Sequence, residues 1–222
     1  MKILYLETSS KNCSVAVSDG DKLLCLCEER SEGYKQSENL HTFVQWALEG
    51  AEISLQEIDA VCLGMGPGSY TGLRIGASSA KGFCFGLSVP LLAVNSLHSM
   101  MRPFLSMGYD LVVPLVDARR MEVYTAVFDG NTGETLVETH PKILDENSFL
   151  EYKGKKILFV GDGTKKTQGI LSFEAEYNED VYPSAKYMIE EAVGKFHSQK
   201  FEDIAYFEPF YLKEFQGVKM KK

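Results

Sequence analysis

The chain has 222 residues, enough for one large domain or two small lobes with a real core, and its 45% apolar and 24% charged residues are those of an ordinary globular protein. A formal charge of −8 argues against stand-alone binding to DNA or RNA, because a phosphate backbone needs a basic surface. No apolar run approaches the roughly 20 residues of a membrane helix, and five cysteines (Cys13, Cys25, Cys27, Cys62, Cys84) without framework spacing fit a reduced, cytoplasmic setting.

The N-terminal ILYLET is a short apolar run ending in an acid, typical of a buried strand and not of a leader. The alternating CSVAVSD follows, then Asp19-Gly20 as a hairpin turn, then DKLLCLCEER as a third strand. Cys25 and Cys27 share one face of it and read as packing rather than as metal ligands. A helical pattern starts at Ser37, with Leu40, Phe43, Val44, Ala47 and Leu48 on one face, and Ser54-x-x-Glu57 resembles a capping box. DAVCLGM and LLAV (91–94) are further buried strands.

The order then recurs. LVVPLVD (111–117) ends in an acid, EVYTAVFD alternates, Asp129-Gly130 opens a turn, and ETLVETH is a third strand. Glu7 and Asp117, and Asp19-Gly20 and Asp129-Gly130, stand at one common offset of 110 residues. KKILFVGDG and the helical SAKYMIEEAVGKF come later, whereas 140–205 as a whole carries no recognisable motif. Two tandem βββαβα halves predict two lobes, 1–102 and 103–222, with a cleft between them and the last segment packing back on the first lobe.

The glycine-rich stretch GMGPGSYTGLRIGASSAKG (64–82) fails three chemical readings. It lacks the second glycine of a phosphate-binding Gly-Lys-Ser/Thr loop, has one residue too many for G-x-G-x-x-G, and places Gly68 directly beside Ser69 instead of in G-x-S-x-G. What remains is a helix in which Gly72, Gly76 and Ala80 form a small-residue ridge. Each helical glycine costs about 1 kcal/mol relative to alanine, so another backbone must pack on the ridge, in the same lobe or on a partner.

ILYLETSSKNCSVAV, the glycine-rich stretch, PLLAVNSLHSM, DARRMEVYTAVFD and the late EPFYLK together resemble the TsaB (YeaZ) family of tRNA threonylcarbamoyladenosine biosynthesis proteins. The match runs from residue 1 to about 130 and resumes near 209. The resemblance implies an α/β, actin-like ATPase (ribonuclease H-like) fold. It implies a non-catalytic scaffold that binds a TsaD-like catalytic subunit and a TsaE-like ATPase, meets tRNA through that complex, and forms a homodimer when alone. The modified adenosine would lie beside the anticodon in tRNAs reading codons that start with A. The partner or dimer face would comprise Leu40, Phe43, Val44, Ala47, Gly68, Tyr70, Gly72, Leu73, Gly76, Ala80 and Phe83.

TsaD-like proteins carry a loop like ETSCD and a metal-binding His-x-x-x-His after Val-Asn. Here Lys11 replaces the acid, and Ser96 and Met100 stand where two imidazoles would be, leaving His98 alone. No catalytic or metal-binding residue is therefore assigned, and ATP and a metal ion are expected to belong to the partners. Thr8, Ser9, Ser10, Asp117 and Arg119 would line a vestigial nucleotide cleft. The segment Asp117-Ala118-Arg119-Arg120 lacks the glycine of a phosphate loop, and its arginines would hold a phosphate, a partner's acids or a neighbouring lobe. The alternative is a stand-alone ATP-binding or ATP-hydrolysing protein.

Overall fold

The computed structural model describes residues 1–31 and 36–212. Strands β1 (Lys2–Glu7), β2 (Asn12–Asp19) and β3 (Lys22–Arg30) form an antiparallel meander. Helix α1 (Gln36–Gly50), β4 (Ala60–Gly64), α2 (Tyr70–Leu87) and β5 (Leu91–Val94) follow, giving a sheet of order β3-β2-β1-β4-β5. The second half repeats it with β6 (Leu111–Asp117), β7 (Glu122–Asp129), β8 (Thr135–Ile143), β9 (Ile157–Val160) and β10 (Glu176–Asn178), in the order β10-β9-β6-β7-β8. Strands β2 and β7 begin and end at the 110-residue offset read from the sequence.

The helices do not repeat as the strands do. After β8 and β9 the second half has only 3-10 turns, Leu150–Tyr152 and Asp162–Lys166, in place of long helices. Glycines at 154, 161, 163 and 169 punctuate these segments and leave no room for several uninterrupted turns. The segment predicted as one helix from Ser184 starts as a 3-10 turn (Ala185–Met188) and continues as α4 (Ile189–His197).

β1 is buried on both faces, which explains its unbroken apolar run. Leu4 and Leu6 point to α1 and α2 with Leu40, Phe43, Val44, Ala47, Ala77 and Ala80. Ile3 and Tyr5 point the other way, to Met188, Ile189, Ala192 and Val193. Helix α4 thus follows the second sheet in sequence but covers the first. The reverse holds for α3 (Ser96–Met101), whose Leu97, Met100 and Met101 pack on Val112, Ala126, Phe128 and Val160 of the second sheet. Each half lends a helix to the other's sheet.

The C-terminal segment returns to the first lobe. Glu202 N–H donates to Leu91 O (2.8 Å), Phe207 is buried beside α2, and Phe210 N–H donates to Met65 O (2.8 Å). The basic run at 219–222 lies outside the described residues.

Candidate functional site

Helix α2 is capped by Ser69, whose hydroxyl accepts from Gly72 N–H. Its small-residue ridge meets the turn after β1. A Cβ on Gly72 would overlap the Thr8 carbonyl oxygen, one on Gly76 would overlap Thr8 Oγ1, and one on Gly68 would overlap the Ser9 carbonyl oxygen. Thr8 Oγ1 donates to Gly72 O (2.8 Å), and Ser69 N–H donates to Ser9 O (2.6 Å). The second backbone that the ridge requires is therefore in its own lobe.

This corrects the expected interface at most of its positions. Leu40, Phe43, Val44, Ala47, Gly72, Leu73, Gly76 and Ala80 are buried within the lobe, and only Gly68, Tyr70 and Phe83 keep partial exposure. A hydrophobic stripe read from sequence marks the face a helix turns to its own sheet. The outward faces carry other residues: His41, Gln45 and Trp46 on α1, and Thr71, Arg74, Ser78, Gly82, Phe85 and Gly86 on α2. Trp46 is 52% and Phe85 is 83% exposed, and His41 lies 5.7 Å from the Phe83 ring, joining the two helices.

Between the lobes is a cleft of about 670 Å³. Ser9, Ser10 and Lys11 line it from the first lobe, with Pro67 to Thr71 at the start of α2, while Asp117, Arg119, Arg120, Glu122, Tyr124 and Asp162 line it from the second. Four of the five residues expected there do line it. Thr8 does not, because its side chain is spent on α2. Tyr211 from the returning C-terminal segment packs against Tyr70 at the cleft mouth, ring centres 5.1 Å apart, with Arg74 over Tyr70.

Two side chains that sequence reading missed, Lys166 and Asp162, complete the wall around Asp117. Asp117 Oδ1 accepts from Lys166 Nζ (2.5 Å) and Arg119 N–H (2.6 Å), and Lys166 Nζ also donates to Glu122 O (2.9 Å). Asp117 N–H donates to Asp162 Oδ1 (2.9 Å). Burial pushes the Asp162 carboxyl above the usual range, and the nearby Asp117 charge adds to it. The signal for this pairing was the acid that ends KKILFVGD: β9 runs parallel to β6, with Pro114 opposite Val160, so both strands end their acids on the cleft side. Arg119 and Arg120 have φ of +70° and +51°, consecutive left-handed residues without glycine, each costing on the order of 1 kcal/mol.

Glu7, the first-half counterpart of Asp117, is buried away from the cleft. It accepts from Ser9 N–H (2.7 Å) and from Ser96 Oγ (2.7 Å), and burial pushes its carboxyl up despite these bonds. Met100 is a core residue, and His98 Nδ1 pairs with Glu191 Oε2 (3.1 Å) while standing edge-on to Phe128. Where a metal-binding helix face would be, the chain packs its lobes together. Among the described residues no group of three or more His, Cys, Asp or Glu side chains is arranged to hold a metal ion. All five cysteines are free, and burial pushes the Cys27 thiol to about 11, with neighbouring Cys25 adding to the shift.

Two lobes of one strand order, exchanging a helix across a cleft, define an α/β protein of the actin-like ATPase type. A family model described as TsaD, tRNA N6-adenosine threonylcarbamoyltransferase, matches residues 33–213. The tRNA threonylcarbamoyladenosine biosynthesis protein TsaB of Escherichia coli (strain K12) is 29% identical, over 96% of this chain and 95% of its own. TsaB of Bacillus subtilis (strain 168) is 27% identical, over 80% of this chain and 82% of its own. The solved structure of YeaZ from Pseudomonas aeruginosa superposes with a TM-score of 0.81 at 25% identity, covering 95% of this chain and all of that one. The chain belongs to the TsaD family so described, in its TsaB (YeaZ) group. No helix among the described residues is long and apolar enough to cross a membrane.

Proposed function

We propose that this chain is a subunit of the machinery that makes threonylcarbamoyladenosine in tRNA, acting as a binding module and not as the transferase. Its named relatives are biosynthesis proteins of that modification. It docks a TsaD-like catalytic subunit through the outward faces of α1 and α2, assembles with a TsaE-like ATPase in the cytoplasm, and meets through that complex tRNAs that read codons starting with A. The same face pairs two copies when the partner is absent.

One observation carries the docking surface. Gly82 and Gly86 sit in the exposed half of α2, and a Cβ on either would meet nothing within 4 Å. Unlike Gly72 and Gly76, they have no internal reason to be glycine, and each weakens the helix. They flank Phe85, which a monomer leaves 83% exposed. A smooth surface around a projecting aromatic ring suits the close approach of another helix.

The test is co-purification of the Phe85→Glu and Gly82→Arg variants with the TsaD-like subunit. Complex formation is expected to be lost with the thermal unfolding of the isolated chain unchanged, and a persisting complex would overturn the face. Reconstitution of tRNA modification with and without this chain tests the role itself. The cleft favours a second reading, hydrolysis of ATP by the chain alone, and magnesium-dependent turnover by the isolated protein would establish it over the first.

A further inference from the structure

We propose that Cys25 and Cys27 of β3 form a two-sulfur site for a soft monovalent cation, Cu(I) being the ion the arrangement suits. The site is independent of the docking face. β3 is the outermost strand of the first sheet, and its two cysteines stand in register with Val17 and Val15, so both thiols lie on the sheet face that α1 covers. These two cysteines are partly exposed, whereas the other three are buried. Two further features shape the position. A β-bulge at Leu24 falls directly before Cys25, an irregularity of the kind that re-aims a side chain. Gly50 ends α1 against Cys25, where a Cβ would come within 2.6 Å of Cys25 Sγ, so the thiol occupies the room that a side chain would take.

The spacing decides between an ion and a disulfide. Two residues of strand advance about 6.6 Å, at the long end of the roughly 4.4–6.8 Å between the Cα atoms of a disulfide, whereas an ion between the sulfurs spans the wider gap. Coordination number then chooses the ion. Zinc takes four ligands, and among the described residues no three His, Cys, Asp or Glu side chains are arranged to hold a metal. Cu(I) is selected by thiolate sulfur and is satisfied by two such ligands in a line. Burial and the neighbouring Cys25 hold the Cys27 thiol at about 11, protonated at neutral pH, which slows its oxidation and makes binding a displacement of protons. Two S–Cu bonds form, two thiol protons pass to solvent, and no electron is transferred.

Titration of the full chain with Cu(I), kept reduced by ascorbate under nitrogen and shared with the chelator bicinchoninate, tests this. One Cu(I) per chain is expected, with two sulfur neighbours by X-ray absorption and an affinity that rises at least about tenfold per pH unit between about pH 6 and 8. Cys25→Ser and Cys27→Ser are each expected to weaken binding at least about a hundredfold. Gly50→Ala keeps both sulfurs, but its methyl group displaces Cys25 Sγ, so binding at least about tenfold weaker is expected while circular dichroism shows the chain folded. Zinc, competed against a chromophoric chelator, is expected not to be retained. Failure to take Cu(I) from bicinchoninate would overturn the proposal. So would a third sulfur neighbour, retention of zinc, or unchanged affinity in any of the three variants.

Discussion

At Gly72 a methyl group would run into the Thr8 carbonyl oxygen, while at Gly82 it would meet open space. Alanine substitution should therefore have opposite signs on one helix. Gly82→Ala is expected to stabilise the isolated chain by about 1 kcal/mol, and Gly72→Ala to destabilise it by about 1–3 kcal/mol as backbone is forced apart. Urea denaturation of both variants checks the pair. Glu7 makes a second residue-scale case. Burial raises its carboxyl above the usual range, so the fold prefers the protonated form. Its stabilising contribution is full below the ordinary glutamate value and is lost as pH rises through the raised one. Glu7→Gln should flatten that fall in stability with rising pH, measured as urea midpoints across the range.

The elements most dependent on one another are α3 and α4, the helices exchanged between halves. Glu191 on α4 takes His98 Nδ1 of α3 at 3.1 Å and Lys195 Nζ at 2.8 Å, and Lys195 also donates to Ala93 O of β5 (2.6 Å). Arg102, just beyond α3, pairs with Glu190. Burial opposes ionisation of Glu191, yet the hydrogen bonds from His98 and Lys195 and the Lys195 charge outweigh it and hold the carboxyl below its usual range. This contribution is present above the ordinary glutamate value and lost as pH falls through the lowered one. Glu191→Gln is expected to cost about 1–3 kcal/mol at neutral pH and to remove part of the acid sensitivity, read from urea unfolding at neutral and acidic pH. Most of these elements were legible in advance. Strand alternation, the Asp-Gly turns, and the capping box at Ser54 and Glu57 are local patterns, and the structure reproduces them. β10 and the 3-10 turns of the second half were not, because three-residue strands and single turns leave too short a pattern to read.

Across the whole molecule, α2 serves both surfaces, its first residues Tyr70 and Thr71 lining the cleft and Phe85 projecting near its other end. Phe85→Glu is expected to abolish self-association and partner binding while leaving the urea midpoint of the isolated chain unchanged, checked by sedimentation and denaturation on one preparation. The sequence of elements within each half, the departures at Lys11, Ser96 and Met100 and the family were determined by short stretches of residues, and the duplication by their recurrence at one offset. Such features are local in sequence, and periodicity records them directly. Only the tertiary structure decided that the glycine ridge closes on Thr8, that α3 and α4 trade sheets, and that Lys166 reaches Asp117. A small or apolar stripe announces that something must cover it but not which backbone does so, because that depends on how the chain crosses itself between the lobes.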